Sequence, residues 1–222
     1  MDLNADFSER VVVHSAKLDW VASPMPGVDR RMLDRIGDEV ARATTIVRYA
    51  PESAFSPHVH TGGEEFIVLD GVFQDEHGDF PKGTYVRNPP TTQHTPSSDP
   101  GCTIFVKLWQ FDPEDRVSVC ATLGDTLRKV GAGRQEQVLH VDTRERVSYH
   151  VWDTAAETSF SCPGGAEILV LGGEILQDGD VLSEGGWLRL PQDTVAALAA
   201  GAQGARFWMK QGHLPFAKAP DV

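Results

Sequence analysis

Three histidines and a glutamate, His58, His60, Glu64 and His94, are the residues whose types and spacing could do chemistry in this chain. In an extended strand, side chains at i and i+2 leave the same face, so His58 and His60 aim two imidazoles at one point. Thr61-Gly62-Gly63 is too rich in glycine to continue a stiff strand and can re-aim the chain so that Glu64 enters the same site. His94 would close the site from a distant strand. Three imidazoles and one carboxylate suit a divalent first-row ion, and they do not discriminate sharply among zinc, iron, manganese and nickel. Four protein ligands in a closed tetrahedron would make a structural or sensing zinc, whereas an open position would permit oxygen activation or hydrolysis.

The spacing extends to Gly71 and then to Gly83-x5-Pro89-x-Thr91-x2-His94. It resembles the cupin pattern His-x-His-x3-Glu-x6-Gly followed by Gly-x5-Pro-x-Gly-x2-His-x3-Asn, with Thr91 in place of the second motif's inner glycine and Ser98 in place of its asparagine. The runs Glu39–Thr44, His60–Leu69, Gly83–Pro90 and Gly101–Leu108 are similar to the cupin domain of the ChrR anti-sigma factors. That resemblance implies zinc at His58, His60, Glu64 and His94. It also implies a regulatory or sensory role in an oxidative-stress response run by an extracytoplasmic-function sigma factor. The His-x3-Cys-x2-Cys helical module with which that family grips its sigma factor does not precede Glu39, so any partner is expected on another chain.

The elements that must position these ligands are strands. With 21 glycines and 14 prolines in 222 residues, the chain favours many turns and short strands over long helices. Thr44–Tyr49, Phe66–Leu69, Gly101–Trp109 and Val147–Trp152 are rich in β-branched and aromatic residues. Gln74–Asp79 and Gln177–Asp180 read as hairpin turns, and His77 falls in the first of them. Helices are expected at Leu123–Val130 and Arg30–Arg35.

Sliding the chain against itself by 102 residues aligns Pro51–Lys107 with the second half. Gly62-Gly63 falls on Gly164-Gly165, Glu65 on Glu167, Gly71 on Gly173, Arg87 on Arg189 and Phe105 on Phe207. The ligands do not repeat: His58, His60, Glu64 and His94 meet Phe160, Cys162, Ala166 and Ala196. The expected fold is therefore all-β, with two cupin (jelly-roll) barrels, residues 1–111 binding the metal and residues 117–222 degenerate. Apolar replacements suit a dry packed interior; an apolar ligand pocket around Phe160, Cys162 and Ala196 is the other use open to them. Phe111–Arg116, with a proline and a charge cluster, marks the boundary, and a linker this short suggests close packing of the two barrels.

Among the remaining residues, Glu65 is repeated in the metal-free copy and reads as structural. Tyr85 and Arg87 share a strand face, as do Trp187 and Arg189. Lys107 and Trp109 differ from Met209 and Gln211 at the same offset and could line the pocket, although Ile104, Val106 and Leu108 make an equally good core face. His14, His140, His150 and His213 lie outside any ligand spacing. Cys102, Cys120 and Cys162 are too widely spaced for a disulfide framework or a zinc knuckle, and Cys102 reads as a buried apolar residue.

A net charge of −12 would repel a polyphosphate, so nucleic acid is not an expected partner. No apolar stretch approaches the length of a membrane span, and the first residues carry no signal-peptide pattern, so a cytoplasmic protein is expected. A sigma factor or other regulatory protein, a small-molecule ligand and a second copy in a homodimer are the partners open to it. Two functions follow: a ChrR-like metal-binding regulator, and a metal-dependent cupin dioxygenase acting on a small diketone or aromatic ketone.

Overall fold

The computed structural model describes residues 1–38 and 40–220, so Glu39, the first residue of one run quoted above, lies outside it. The described residues are almost entirely β, and the helical elements among them are two 3-10 turns, Ser15–Lys17 and Leu214–Phe216. They form two units. One comprises the described residues of Met1–Ala5, Asp19–Thr122 and Lys218–Val222; the other comprises Asp6–Leu18 and Leu123–Ala217.

In the first unit the main sheet runs Val119–Thr122, Thr84–Asn88, Glu64–Asp75, Cys102–Leu108, Ala41–Tyr49, Val28–Gly37, Val21–Ala22. In the second it runs Val11–His14, Gly186–Leu190, Ala166–Gln177, Thr194–Gln211, Arg146–Trp152, Arg134–Val141, Arg128–Gly131. From Thr84–Asn88 and Gly186–Leu190 onward the order is the same strand for strand; the edge strands differ in origin, Val119–Thr122 following the repeated segment and Val11–His14 coming from before it. Each sheet closes over its own apolar interior. In the first unit this holds Val47, Phe66, Val68, Phe73, Ile104 and Val106; in the second it includes Ile168, Val170, Leu188, Leu198 and Phe207.

Both hairpin turns form as expected, with Asp75 paired to Gly78 and Gln177 to Asp180. The two expected helices do not form. Arg30–Arg35 lies in the strand Val28–Gly37, whose ladder slips between Met32 and Asp34. That bulge buries Leu33 and Asp34 in succession, which breaks the two-residue period that would have identified a strand. In Leu123–Val130 the positive φ of Gly124 (+100°) stops a helix, and residues 123–126 turn into the strand Arg128–Gly131.

Strand pairing also corrects the offset of the repeat. Lys107 pairs Glu65 in the first unit and Lys210 pairs Glu167 in the second, so Lys107 answers to Lys210 and not to Met209. By the same register Phe105 answers to Trp208. The second unit has one extra residue between Ala196 and Gly204, and a slip of one residue turns every side chain to the other face. Lys107 consequently stays out of the barrel interior. It is fully buried on the opposite face, where its Nζ donates to Thr44 Oγ1 at 2.8 Å.

That opposite face carries Glu65, Tyr85, Arg87 and Lys107 in one unit and Glu167, Trp187, Arg189 and Lys210 in the other, all buried. Tyr85 donates to Glu65 at 2.8 Å, and His213 meets Glu167 at 2.8 Å. Arg87 stacks on Phe111 and pairs with Asp115; Arg189 stacks on Phe7 and donates to the Asp6 carbonyl. The segment Phe111–Arg116 thus packs within the first unit, and the strand Val11–His14 is part of the second.

The long strand Glu64–Asp75 leaves the main sheet for its hairpin at Gly71, whose φ is +71° and where a Cβ would stand 2.0 Å from the Gly101 carbonyl oxygen. Gly71→Ala is therefore expected to lower unfolding free energy by roughly 2–4 kcal/mol, through clash and left-handed strain together. The change should be read as a shifted urea midpoint at unchanged slope; a midpoint equal to wild type would show that the bend does not need glycine.

Candidate metal centre

His58 and His94 meet because two short strands pair: His58–Val59 runs antiparallel to Gln93–His94, with His94 opposite His58. His60 follows at the two-residue spacing. The ring centroids of the three imidazoles lie 4.5–5.1 Å apart. Glu64 opens the next strand, and its Oε1 lies 3.5 Å from His60 Nε2 and 3.7 Å from His94 Nε2. One ligand atom from each of the four residues falls within 4.8 Å of the others. The structure thus brings together all four residues expected at the site. His60, Glu64 and His94 are buried, and His58 is exposed.

Neighbouring groups set the proton on the two buried rings. Thr92 Oγ1 gives its single hydrogen to the Pro89 carbonyl at 2.7 Å, so toward His60 Nδ1, 2.9 Å away, it can only accept. His60 therefore carries its hydrogen on Nδ1 and turns the lone pair of Nε2 inward. His94 Nδ1 faces the Asp75 carboxylate at 3.2 Å, which holds the same tautomer. His60 Nε2 and Glu64 Oε1 are buried and make no hydrogen bond. Orphaned acceptors of this kind suit a cation between them.

Burial governs the ionisation of the set. Burial, followed by repulsion from His94 and His58, lowers His60 to about 3; burial and His58 lower His94 to about 4. Burial raises Glu64 to about 7, against a hydrogen bond from Asn88 that lowers it. At neutral pH both buried imidazoles thus have free lone pairs.

The ligand atoms line a cavity of about 300 Å³. Its other walls include Met25, Tyr49, Phe55, Phe73, Leu108 and Trp109. Of the two residues considered for the lining, Trp109 is there and Lys107 is not. Thr91, at the inner-glycine position of the second motif, adopts φ +78°, and its N–H donates to the His60 carbonyl at 3.1 Å. The turn is kept with a β-branched residue in a conformation that favours glycine. Asp75 and Thr92 were not foreseen, because neither has a fixed spacing from the ring it orients.

At the matching place in the second unit, Phe160 pairs Ala196, as His58 pairs His94. Cys162, Ala166 and Ala196 are fully buried in the apolar core and Phe160 packs against it. Burial raises both Cys102 and Cys162 to about 11, so each is a packed thiol. His77 is exposed in its turn; His150 stacks on Phe207 with ring centroids 4.7 Å apart.

Residues 8–112 match the family model described as the ChrR cupin-like domain. No curated protein matches the chain. Among solved structures, a Nostoc punctiforme protein provisionally described as a dioxygenase aligns with TM-score 0.76 at 13% identity, over 97% of this chain and 87% of its own. A glyoxylate-induced protein of Pseudomonas aeruginosa, also a provisional description, aligns with TM-score 0.71 at 13% identity, over 100% and 91%. The pirin YhhW of Escherichia coli, solved with nickel(II), aligns with TM-score 0.65 at 11% identity, over 91% and 98%. No helix among the described residues is long and apolar enough to cross a membrane. Residues 8–112 thus resemble the ChrR cupin-like domain, and the chain has the cupin fold along its length.

Proposed function

We propose that this protein holds one divalent metal ion, in the first unit only, through His58, His60, Glu64 and His94, and that the ion acts on a small molecule admitted by the cavity beside it. The observation that carries the reading is that the cavity opens directly on the four ligand atoms. A purely structural ion would need no such space. The ion would supply Lewis-acid polarisation and a coordination position for oxygen or a substrate oxygen. The chain's own residues do the rest: Thr92 and Asp75 fix the tautomers of His60 and His94, Asn88 holds the Glu64 carboxylate, and the apolar walls exclude water. Zinc is the ion implied by the ChrR resemblance, and iron, manganese and nickel suit the same donors. The reaction class proposed is dioxygenase cleavage of a small diketone or aromatic ketone, for which the ion would be ferrous iron.

The match of residues 8–112 to the ChrR cupin-like domain supports a second reading. In it the centre senses an oxidant or ligand and changes affinity for a regulatory protein, a sigma factor among them. A sensor needs two states and no catalytic cycle. Oxygen uptake separates the two. Protein loaded with ferrous iron should consume oxygen over many turnovers with a panel of β-diketones and hydroxyacetophenones, and His94→Ala should abolish it. Absence of turnover with every ion tried would leave the sensory reading.

Elemental analysis should give one ion per chain, and two would refute the assignment to the first unit. An ion that binds only the folded state at about 1,000 times its Kd adds about 4 kcal/mol. His60→Ala and chelator treatment should each lower Tm on the order of 10 °C in a chain of this size. An unchanged Tm in both would show that the fold does not rely on an ion.

Metal requires Glu64 ionised, and with its proton leaving at about 7 the ion must displace that proton at pH 6 and almost none at pH 8. His60 and His94, lowered to about 3 and 4, are already neutral over this range and release none. Calorimetry in buffers of different ionisation enthalpy should find about one proton more released by wild type than by Glu64→Gln at pH 6, with the difference vanishing by pH 8. Equal release by the two proteins at pH 6 would contradict a protonated Glu64.

A further inference from the structure

Gly62, in the loop between ligands His60 and Glu64, is shaped for one ring. A Cβ there would stand 2.1 Å from Cδ2 of Trp109, so the indole lies directly on the Gly62 backbone. The Trp109 backbone N–H donates to the Gly63 carbonyl at 3.1 Å, and the residue's φ is +60°, a conformation costly for a bulky residue. In the second unit the residue in this register is Gly212, whose φ is +90° and whose N–H donates in the same way to the Gly165 carbonyl at 3.0 Å. The backbone position is therefore one that glycine fills without strain. The copy without ligands uses glycine; the copy with them keeps a tryptophan against the ligand loop and in the wall of the cavity.

The rest of that wall limits what the ring can meet. Met25, Tyr49, Phe55, Phe73 and Leu108 are part of it, and the lining contains no lysine or arginine. An anionic group held there would lose water and gain no cation from the walls, with the Glu64 carboxylate nearby. A volume of about 300 Å³ is that of roughly ten waters, which admits a molecule of one ring.

We propose that Trp109 is the specificity-determining residue of the cavity and that the ligand is a neutral, single-ring apolar molecule stacked on its indole. The proposal rests on the metal-dependent reading for what happens at the ligand end of the molecule, but the walls recognise it without an ion. The test uses 4-acetylbenzamide and 4-acetylbenzoate, equal in size and different in charge, titrated at pH 8 by ligand-observed NMR. In metal-free protein, where the carboxylate has no ion to reach, the amide should bind at least tenfold more tightly than the acid. Trp109→Gly adopts the residue that the second unit already uses at this backbone position. It should keep the wild-type ion content while weakening the amide at least tenfold in both zinc-loaded and metal-free protein, and Trp109→Phe should restore most of the binding. Equal affinity for amide and acid in the metal-free form, wild-type affinity in Trp109→Gly, or no binding of the amide would overturn the proposal. Amide binding in a protein that takes up no ion would sink the metal reading and leave this one standing.

Discussion

Two buried acceptors without hydrogen bonds, His60 Nε2 and Glu64 Oε1, are the constraint around which the first unit is arranged. Removing such groups from water unpaired is unfavourable, and a cation would offset the cost for all four candidate ligands at once. The surrounding structure directs that demand to one point. Thr92 is saturated by Pro89, so His60 can only turn Nε2 inward; Asp75 does the same for His94. The pairing of Gln93–His94 with His58–Val59 then joins segments that are distant in the chain.

The second unit shows the same frame relieved of that constraint. Phe160 and Ala196 keep the pairing, and with Cys162 and Ala166 they join a continuous apolar core. The frame itself does not depend on the ligands. Its buried polar face, with Glu65, Arg87 and Lys107 in one unit and Glu167, Arg189 and Lys210 in the other, recurs whether or not a site is present. These charges belong to the fold, whereas the four candidate ligands are confined to one unit.

Two left-handed residues brace the loop of the site, at positions where the second unit has the left-handed Asp193 and Gly212. Thr91 and Trp109 both have positive φ, and both hold backbone bonds to the loop that carries His60 and Glu64. Strain in such positions persists only where surrounding contacts over-determine it. Here the contacts are the turn against His60 and the packing of an indole on Gly62.

The clustering of His58, His60, Glu64 and His94, the repeat and the all-β class were legible in the sequence because each rests on local spacing: two residues between strand neighbours, glycines at bends, and a second copy at a constant offset. Cys102 as a packed apolar residue and His77 as a turn residue were legible for the same reason. The sequence by itself could not place Arg30–Arg35, because the bulge at Leu33 conceals the strand period. Nor could it tell which face Lys107 takes, since a single extra residue between Ala196 and Gly204 reverses the comparison and only the ladder with Glu65 and Glu167 decides it. Asp75, Thr92 and the seat of Trp109 on Gly62 were decided by tertiary structure alone, because a hydrogen bond or a ring contact between distant segments leaves no periodic trace in the chain.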